Sequence, residues 1–106
     1  MALKVLGQVK PAAGTPTSLY QVGVGKQAVV NVILCNADAA ASDTFLLYVR
    51  PVGFVGSPAT TELVYRGTIS PEDSFDAFGI SLDAGAAIWL TSTNSKITAT
   101  VTGSES

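Results

Sequence analysis

The chain is 106 residues long with a net charge of −2, and charged residues make up 13% of it, about half of the ~25% typical of globular domains. This length suits one domain with its own core, and the six scattered basic residues argue against a nucleic-acid-binding protein. No run approaches the ~20 apolar residues that a membrane-spanning helix requires. A surface so poor in charge favours an obligate assembly, with a small secreted β-domain rich in serine and threonine as the alternative.

The first residues show a weak strand pattern followed by a break. Leu3 and Val5 alternate with polar neighbours, and two prolines and a glycine within residues 11–16 then interrupt regular structure. We therefore expect residues 1–16 to form an N-terminal arm, either frayed or lying on a neighbouring subunit. The apolar start of the arm is too short for a signal-peptide core, which predicts folding in a reducing cytoplasm.

Residues 27–36 are apolar at almost every position and rich in β-branched side chains. Such a run predicts a strand in the middle of a sheet, covered on both faces. Its internal polar residue, Asn31, should meet a hydrogen-bonding partner or mark a face that opens at a subunit interface. Cys35, the only cysteine, cannot form an internal disulfide and is expected to pack as a small core residue rather than act as a nucleophile.

The rest of the chain alternates between short strand patterns and turns. Further strands are predicted at residues 17–22, 43–50, 62–69, 74–82, 86–92 and 96–102, with a bend or bulge at Gly79. About seven or eight strands at ~8–12-residue spacing predict an all-β fold, an antiparallel β-sandwich of jelly-roll or immunoglobulin-like type. The sandwich should span residues 17–102, and residues 103–106 should form a C-terminal tail.

A long loop at residues 51–61 separates two of these strands and holds Phe54 and Val55 between glycines. Large apolar residues in a loop either fold back onto the core or contact a partner. We predict Leu3 and Val5 of the arm, together with Phe54 and Val55 of the loop, as candidate partner-interface residues.

The residue types that most enzymes use are scarce in this chain. It has no histidine, which removes the commonest general base and metal ligand, and with one cysteine zinc binding is implausible. Glu72, Asp73 and Asp76 form the only acidic cluster but lack the alternating ligands of a calcium loop, so a solvated turn is expected. We therefore predict no enzyme activity, no metal and no cofactor.

Several motifs, taken in order, cover nearly the whole chain. They are LYQVGVGKQAVV at residues 19–30, VILCN at 32–36, FLLYVRP at 45–51, ISPEDSF at 69–75, GISLDAG at 79–85 and WLTST at 89–93. Together they resemble small accessory virion proteins of tailed bacteriophages. The chain departs from the pattern at Val24, which stands where the pattern has Pro-Ala, and at Ala86, which replaces an acid.

This resemblance implies a non-catalytic structural component of the virion, made in the host cytoplasm. The leading expectation is a head-decoration or cement protein that stabilises the capsid through subunit contacts, with major capsid or tail proteins as partners. Such a protein is expected to be a homo-oligomer, with a trimer as one form. A neck, tail, baseplate or fibre-associated structural protein is the first alternative.

An alternative of another class is a carbohydrate-binding module, because aromatic side chains on a β-sandwich can stack on sugars. The residues available for this are Trp89, Tyr20, Tyr48 and Tyr65. A lone tryptophan in an apolar strand more commonly packs half-buried within its own domain. The sequence therefore ranks this function below the structural ones.

Overall fold

The computed structural model of the protein describes residues 4–106. Apart from one 3₁₀ turn at Thr60–Glu62, its regular structure consists of β-strands, which confirms the predicted all-β fold. The strands are β1 (Lys4–Val9), β2 (Thr17–Gln21), β3 (Ala28–Asn36), β4 (Asp43–Arg50), β5 (Leu63–Ile69), β6 (Ser74–Leu82), β7 (Ala87–Ser92) and β8 (Ile97–Glu105). Within residues 4–106, no helix is long and apolar enough to cross a membrane.

The eight strands form two four-stranded antiparallel sheets with the orders β1-β8-β3-β6 and β2-β7-β4-β5. The first strand pairs with the last, and the other pairs nest inside it: β2 with β7, β3 with β6 and β4 with β5. This nested winding over two sheets is that of a jelly roll. The structure therefore selects the jelly-roll alternative over the immunoglobulin-like one.

The hydrophobic core lies between the two sheets and follows the period-two pattern of the strands. In β8, Ile97, Ala99 and Val101 are buried while the threonines between them are half-buried on the other face. In β4, Phe45 and Leu47 are buried in the same core. Each sheet therefore contributes one apolar face, and burial of these faces stabilises the sandwich.

The prediction for the central strand is correct in position and wrong in coverage. β3 lies between β8 and β6, but only its inward side chains are fully buried, since the described chain supplies one covering sheet. Val29 on its outer face is 50% exposed, and Cys35 is exposed rather than packed in the core. The hydrogen-bonding partner expected for Asn31 is present: its Oδ1 accepts from the backbone amide of Gly79 at 3.0 Å.

Both predicted terminal segments contribute to the sheet that contains β3. Residues 4–9 of the expected arm are an edge strand paired with β8, because Leu6 and Val9 pack against the core. Most of the expected tail continues β8, where Gly103 lies opposite Val30 of β3. Gly103 has a φ of 152°, and a Cβ there would lie 2.2 Å from the Val29 carbonyl oxygen. This glycine permits a close approach of two strands rather than a turn.

Candidate interaction surfaces

The outer face of the β1-β8-β3-β6 sheet is uncovered and nearly free of charge. The cross-strand register places on this face Thr98, Thr100 and Thr102 of β8 together with Asn31, Ile33 and Cys35 of β3. Asp76, opposite Ile33, is the one charged residue that the register places here within residues 4–106. We call this surface the threonine face.

Three large apolar side chains project from the threonine face. Val5 of β1 is 60% exposed and lies opposite Thr102, while Val29 of β3 is half exposed. Phe78 of β6 is 67% exposed beside a bulge at which Gly79 has a φ of 71°. An exposed phenylalanine and two valines on a flat, weakly charged sheet are typical of a surface that another macromolecule covers.

Val5 was a predicted interface residue, whereas Val29 and Phe78 were not. The sequence did indicate the bulge at Gly79, which the register confirms. The outward direction of the Phe78 side chain becomes apparent only from the pairing of β6 with β3. Ala77 lies opposite Val32, and the register shifts before Ile80. Leu3, the second predicted residue of the arm, lies outside the described residues.

The outer face of the β2-β7-β4-β5 sheet is instead partly covered by the loop of residues 51–61. Arg50, at the end of β4, is only 1% exposed and holds this loop in place. Its Nη1 donates to the carbonyl oxygen of Gly56 at 2.9 Å, and its Nη2 donates to those of Val55 and Ser57 at 3.1 and 3.3 Å. Its Nε donates to Glu62 Oε1 at 2.8 Å, which completes an ion pair between the buried Arg50 and the partly buried Glu62.

Two aromatic rings pack against the Arg50 guanidinium. Its central carbon lies 4.3 Å from the ring centroid of Phe54 and 4.8 Å from that of Trp89, and both contacts are cation–π interactions. Phe54 also meets Trp89 edge to face, with ring centroids 5.9 Å apart. We call Arg50, Glu62, Phe54, Trp89 and the bound loop the arginine clasp. Because of this arrangement the loop is ordered by specific contacts and leaves Val55 85% exposed.

The predicted interface residues therefore do not form one surface. Phe54 folds back onto the domain, which is the alternative that its loop position allowed, while Val55 points away from the clasp into solvent. Val5 belongs to the threonine face, on the opposite side of the sandwich from the clasp. A single flat partner cannot contact Val5 and Val55 together through these two faces, because two sheets separate them.

Buried polar residues organise one end of the sandwich. Asp43 accepts hydrogen bonds from Ser92 Oγ at 2.5 Å and from the backbone amides of Asn94 and Lys96 at 2.9 Å. Burial alone would raise the pKa of Asp43, but these hydrogen bonds favour the carboxylate and hold the pKa below its usual value. Beside it, the buried Asn36 amide donates to the carbonyl oxygens of Ala41 and Ile69.

Two further carboxylates join segments of the domain. Asp38 accepts from the amides of Ala40 and Ala41 and pairs with Lys96 at 3.1 Å, which lowers its pKa to about 2. The hydroxyl of Tyr20 donates to Glu105, a contact that links β2 of one sheet to β8 of the other. Burial raises the pKa of Tyr20, with the neighbouring Glu105 adding to the effect, and the Tyr20 hydrogen bond lowers the pKa of Glu105. These contacts have structural roles.

Within residues 4–106, the other candidate residues singled out by the sequence are dispersed over the fold. In the described part of the chain, no three histidine, cysteine, aspartate or glutamate residues are grouped so that they could hold a metal ion. The carbohydrate alternative depends on exposed aromatic rings, but Tyr48 is buried and Trp89 lies beneath Phe54 and Arg50. Tyr65 is exposed at the β5 edge, where it contacts Phe75 edge to face. The four aromatic residues thus form no common platform.

No protein-family model, curated protein or solved structure matches this chain. The resemblance to phage virion proteins therefore stays a prediction, and the function has to be argued from the surfaces described above.

Proposed function

We propose that this protein is a non-catalytic structural component of a tailed-bacteriophage virion and that it decorates the capsid head. The observation that carries this proposal is the threonine face, a broad sheet surface with one acidic residue and three exposed apolar side chains. A decoration protein acts by burying such a surface against a preformed lattice. At ~25 cal/mol per Å² of apolar area, an interface of about 800 Å² per partner provides a large gross driving force.

The distribution of charge supports the same proposal. The chain has six basic and eight acidic residues, and the fold encloses Asp43 and the Arg50–Glu62 pair. These three groups serve internal contacts, so even fewer charges are left to keep the surface solvated and the protein monomeric. A protein that functions as part of a particle needs few surface charges to stay soluble as a monomer.

The arginine clasp supports a second contact on the opposite side of the domain. Its loop is held in place by three hydrogen bonds from Arg50 to loop carbonyls, so presenting Val55 to a partner requires little further ordering. One side of the sandwich could thus meet the lattice while the other meets a neighbouring virion protein. Both contacts use burial and shape rather than catalysis.

Immunogold electron microscopy tests the proposal directly. An antibody raised against the purified protein should label the heads of phage particles produced by the genome that encodes this chain. Labelling of the neck, tail, baseplate or fibres would select the alternative location, and particles without any label would contradict the virion assignment.

Binding of variants to particles that lack the protein tests the role of the threonine face. Phe78→Ser should weaken binding to such heads by at least tenfold, about 1.4 kcal/mol, because it removes the largest exposed apolar group of this face. Gln21→Ser, on exposed β2 of the other sheet, is the matched control and should bind as the unmodified protein does. Equal binding of both variants would mean that another surface meets the head.

A further inference from the structure

The four strands at the edges of the two sheets differ in how well they could pair with another chain. The register of β1 slips between Val5 and Gly7, and that of β2 slips between Ser18 and Tyr20. β6 is interrupted by the bulge at Gly79. An interrupted edge is a poor template for a further strand, because its free amides and carbonyls do not lie in one straight row.

β5 is the edge without such protection over most of its length. Its register with β4 runs without a slip from Tyr65 to Ile69, and residues 64–68 are exposed one after another. The strand has no proline and no acidic residue, and Arg66 is its single charge. Within residues 4–106 only β4 pairs with it. β5 therefore presents an unblocked row of backbone donors and acceptors.

We propose that β5 is the site at which two copies of this chain associate, pairing antiparallel across a two-fold axis. The β2-β7-β4-β5 sheets of the two copies then join into one continuous eight-stranded sheet. Backbone hydrogen bonds supply the affinity of such an edge contact, and the side chains opposite one another set its register.

The side chains of β5 fit a second copy in one particular register. Gly67 is the midpoint of the unbroken stretch, and a two-fold axis there places Arg66 of each copy opposite Thr68 of the other. A register centred on Arg66 would instead bring two guanidinium groups together, which is unfavourable. The edge is thus complementary to itself, with its only charge facing a neutral hydroxyl.

The neighbouring aromatic residues prepare β5 for this contact. Tyr65 meets Phe75 edge to face with ring centroids 5.4 Å apart, and Phe75 packs on Phe45 at 5.0 Å. A Cβ at Gly67 would lie 3.5 Å from the Phe45 ring, so the backbone of β5 packs closely on the core at this position. Because β5 is held against the core in this way, pairing costs little conformational entropy.

The inference goes beyond the proposed function and is tested on the isolated protein without any particle. Light scattering coupled to size-exclusion chromatography of the full chain should give twice the 10.8 kDa chain mass at micromolar concentrations. A failure here would leave the virion assignment intact, and a failure to label particles would leave the dimer intact.

Charge substitutions at Thr68 test the register. Thr68→Lys places a second positive charge opposite Arg66 at two symmetric positions and should raise the dimer dissociation constant about tenfold. Thr68→Glu should lower it by a similar factor, and the double variant Arg66→Glu/Thr68→Lys, which exchanges the two charges of that pair, should lower it as well. Thr100→Lys, on the threonine face, is the matched control and should leave the constant unchanged. Circular dichroism checks that each variant is folded.

The opposite signs expected for Thr68→Lys and Thr68→Glu keep the proposal testable even if one variant folds poorly. A monomer at all concentrations, a mass of three chains, equal dissociation constants for the folded Thr68 variants, or dissociation by Thr100→Lys would each overturn it. If the isolated chain is monomeric, the remaining candidate for pairing with β5 is a strand of a different protein.

Discussion

The two outer faces of the sandwich show two solutions to the same problem. Each sheet buries one face in the core, and its other face is either exposed to solvent or covered by another part of the chain. The β2-β7-β4-β5 sheet uses its own loop, fastened by the arginine clasp, whereas the β1-β8-β3-β6 sheet leaves Val5, Val29 and Phe78 exposed. Within residues 4–106 the first outer face is therefore covered in part by the domain itself, and the second is the one on which the proposed function depends.

The largest expected effect on stability comes from disrupting the arginine clasp. Arg50→Ala should reduce the free energy of unfolding by about 3–5 kcal/mol, because it removes the cationic partner of the largely buried Glu62 and the donors to the loop carbonyls. The loop should then open, and the fluorescence emission of Trp89 should shift to longer wavelength. Urea unfolding followed by circular dichroism measures the first effect, and the emission spectrum measures the second.

Arg66→Ala is the control for this change, since Arg66 is exposed on β5 and makes no ion pair in the described residues. It should alter stability by less than ~0.5 kcal/mol. If Arg50→Ala cost as little as Arg66→Ala, the clasp would not be what holds the loop.

A smaller loss of stability is expected at the polar end of the sandwich around Asp43, and almost none on the threonine face. Asp43→Asn should destabilise the domain by about 2–3 kcal/mol at pH 7, because the new amide faces the Ser92 and Lys96 donors. Asp76→Asn on the threonine face should change stability by less than ~0.5 kcal/mol. Urea midpoints of the two variants at neutral pH provide the comparison.

The contribution of Asp43 to the free energy of unfolding should depend on pH, with a sign that follows from the direction of its pKa shift. The pKa of Asp43 is lower in the folded than in the unfolded chain, where it is near 3.9, so its contribution is complete above about pH 5. That contribution declines as the pH falls through 4 towards the folded pKa. The stability difference between the unmodified protein and Asp43→Asn should therefore narrow in acid, and a difference independent of pH would contradict the assigned role.

The smallest effect compares two phenylalanines, one on each outer face. Phe54→Ala should cost about 1–2 kcal/mol, because the ring is half-buried against Arg50 and Trp89. Phe78→Ala should cost less than ~0.5 kcal/mol in the isolated protein, since its ring is exposed. Thermal unfolding of the two variants checks this order, and equal losses would mean that Phe78 packs against its own domain.

Most strands were predictable because their patterns are local. β4 begins and ends where its alternation indicates, and Pro51 stops it; β6 also has its predicted bounds. The inward residues of β8 follow from period two in the same way. Such patterns depend only on residues that are neighbours in sequence, so they can be recognised without knowledge of the fold.

What was not predictable depends on contacts between distant segments. Period two puts Arg50 on the side of β4 opposite Phe45, but the burial of Arg50 arises from loop carbonyls, and carbonyls have no signature in a sequence. Gly103 resembled the start of a tail because a close approach to β3 cannot be read from β8 alone. The apolar run of β3 suggested cover on both faces, and the structure supplies it on one.

The pairing of β1 with β8 has a consequence for how the chain folds. β8 is the last of the eight strands to be synthesised, so neither β1 nor β3 can acquire its β8 neighbour until the other seven strands have been made. Closing such long loops is entropically costly, and β-rich domains of this kind fold in milliseconds to seconds rather than microseconds. During that interval the apolar strands lack their β8 neighbour, and unpaired strands of this kind are prone to aggregate.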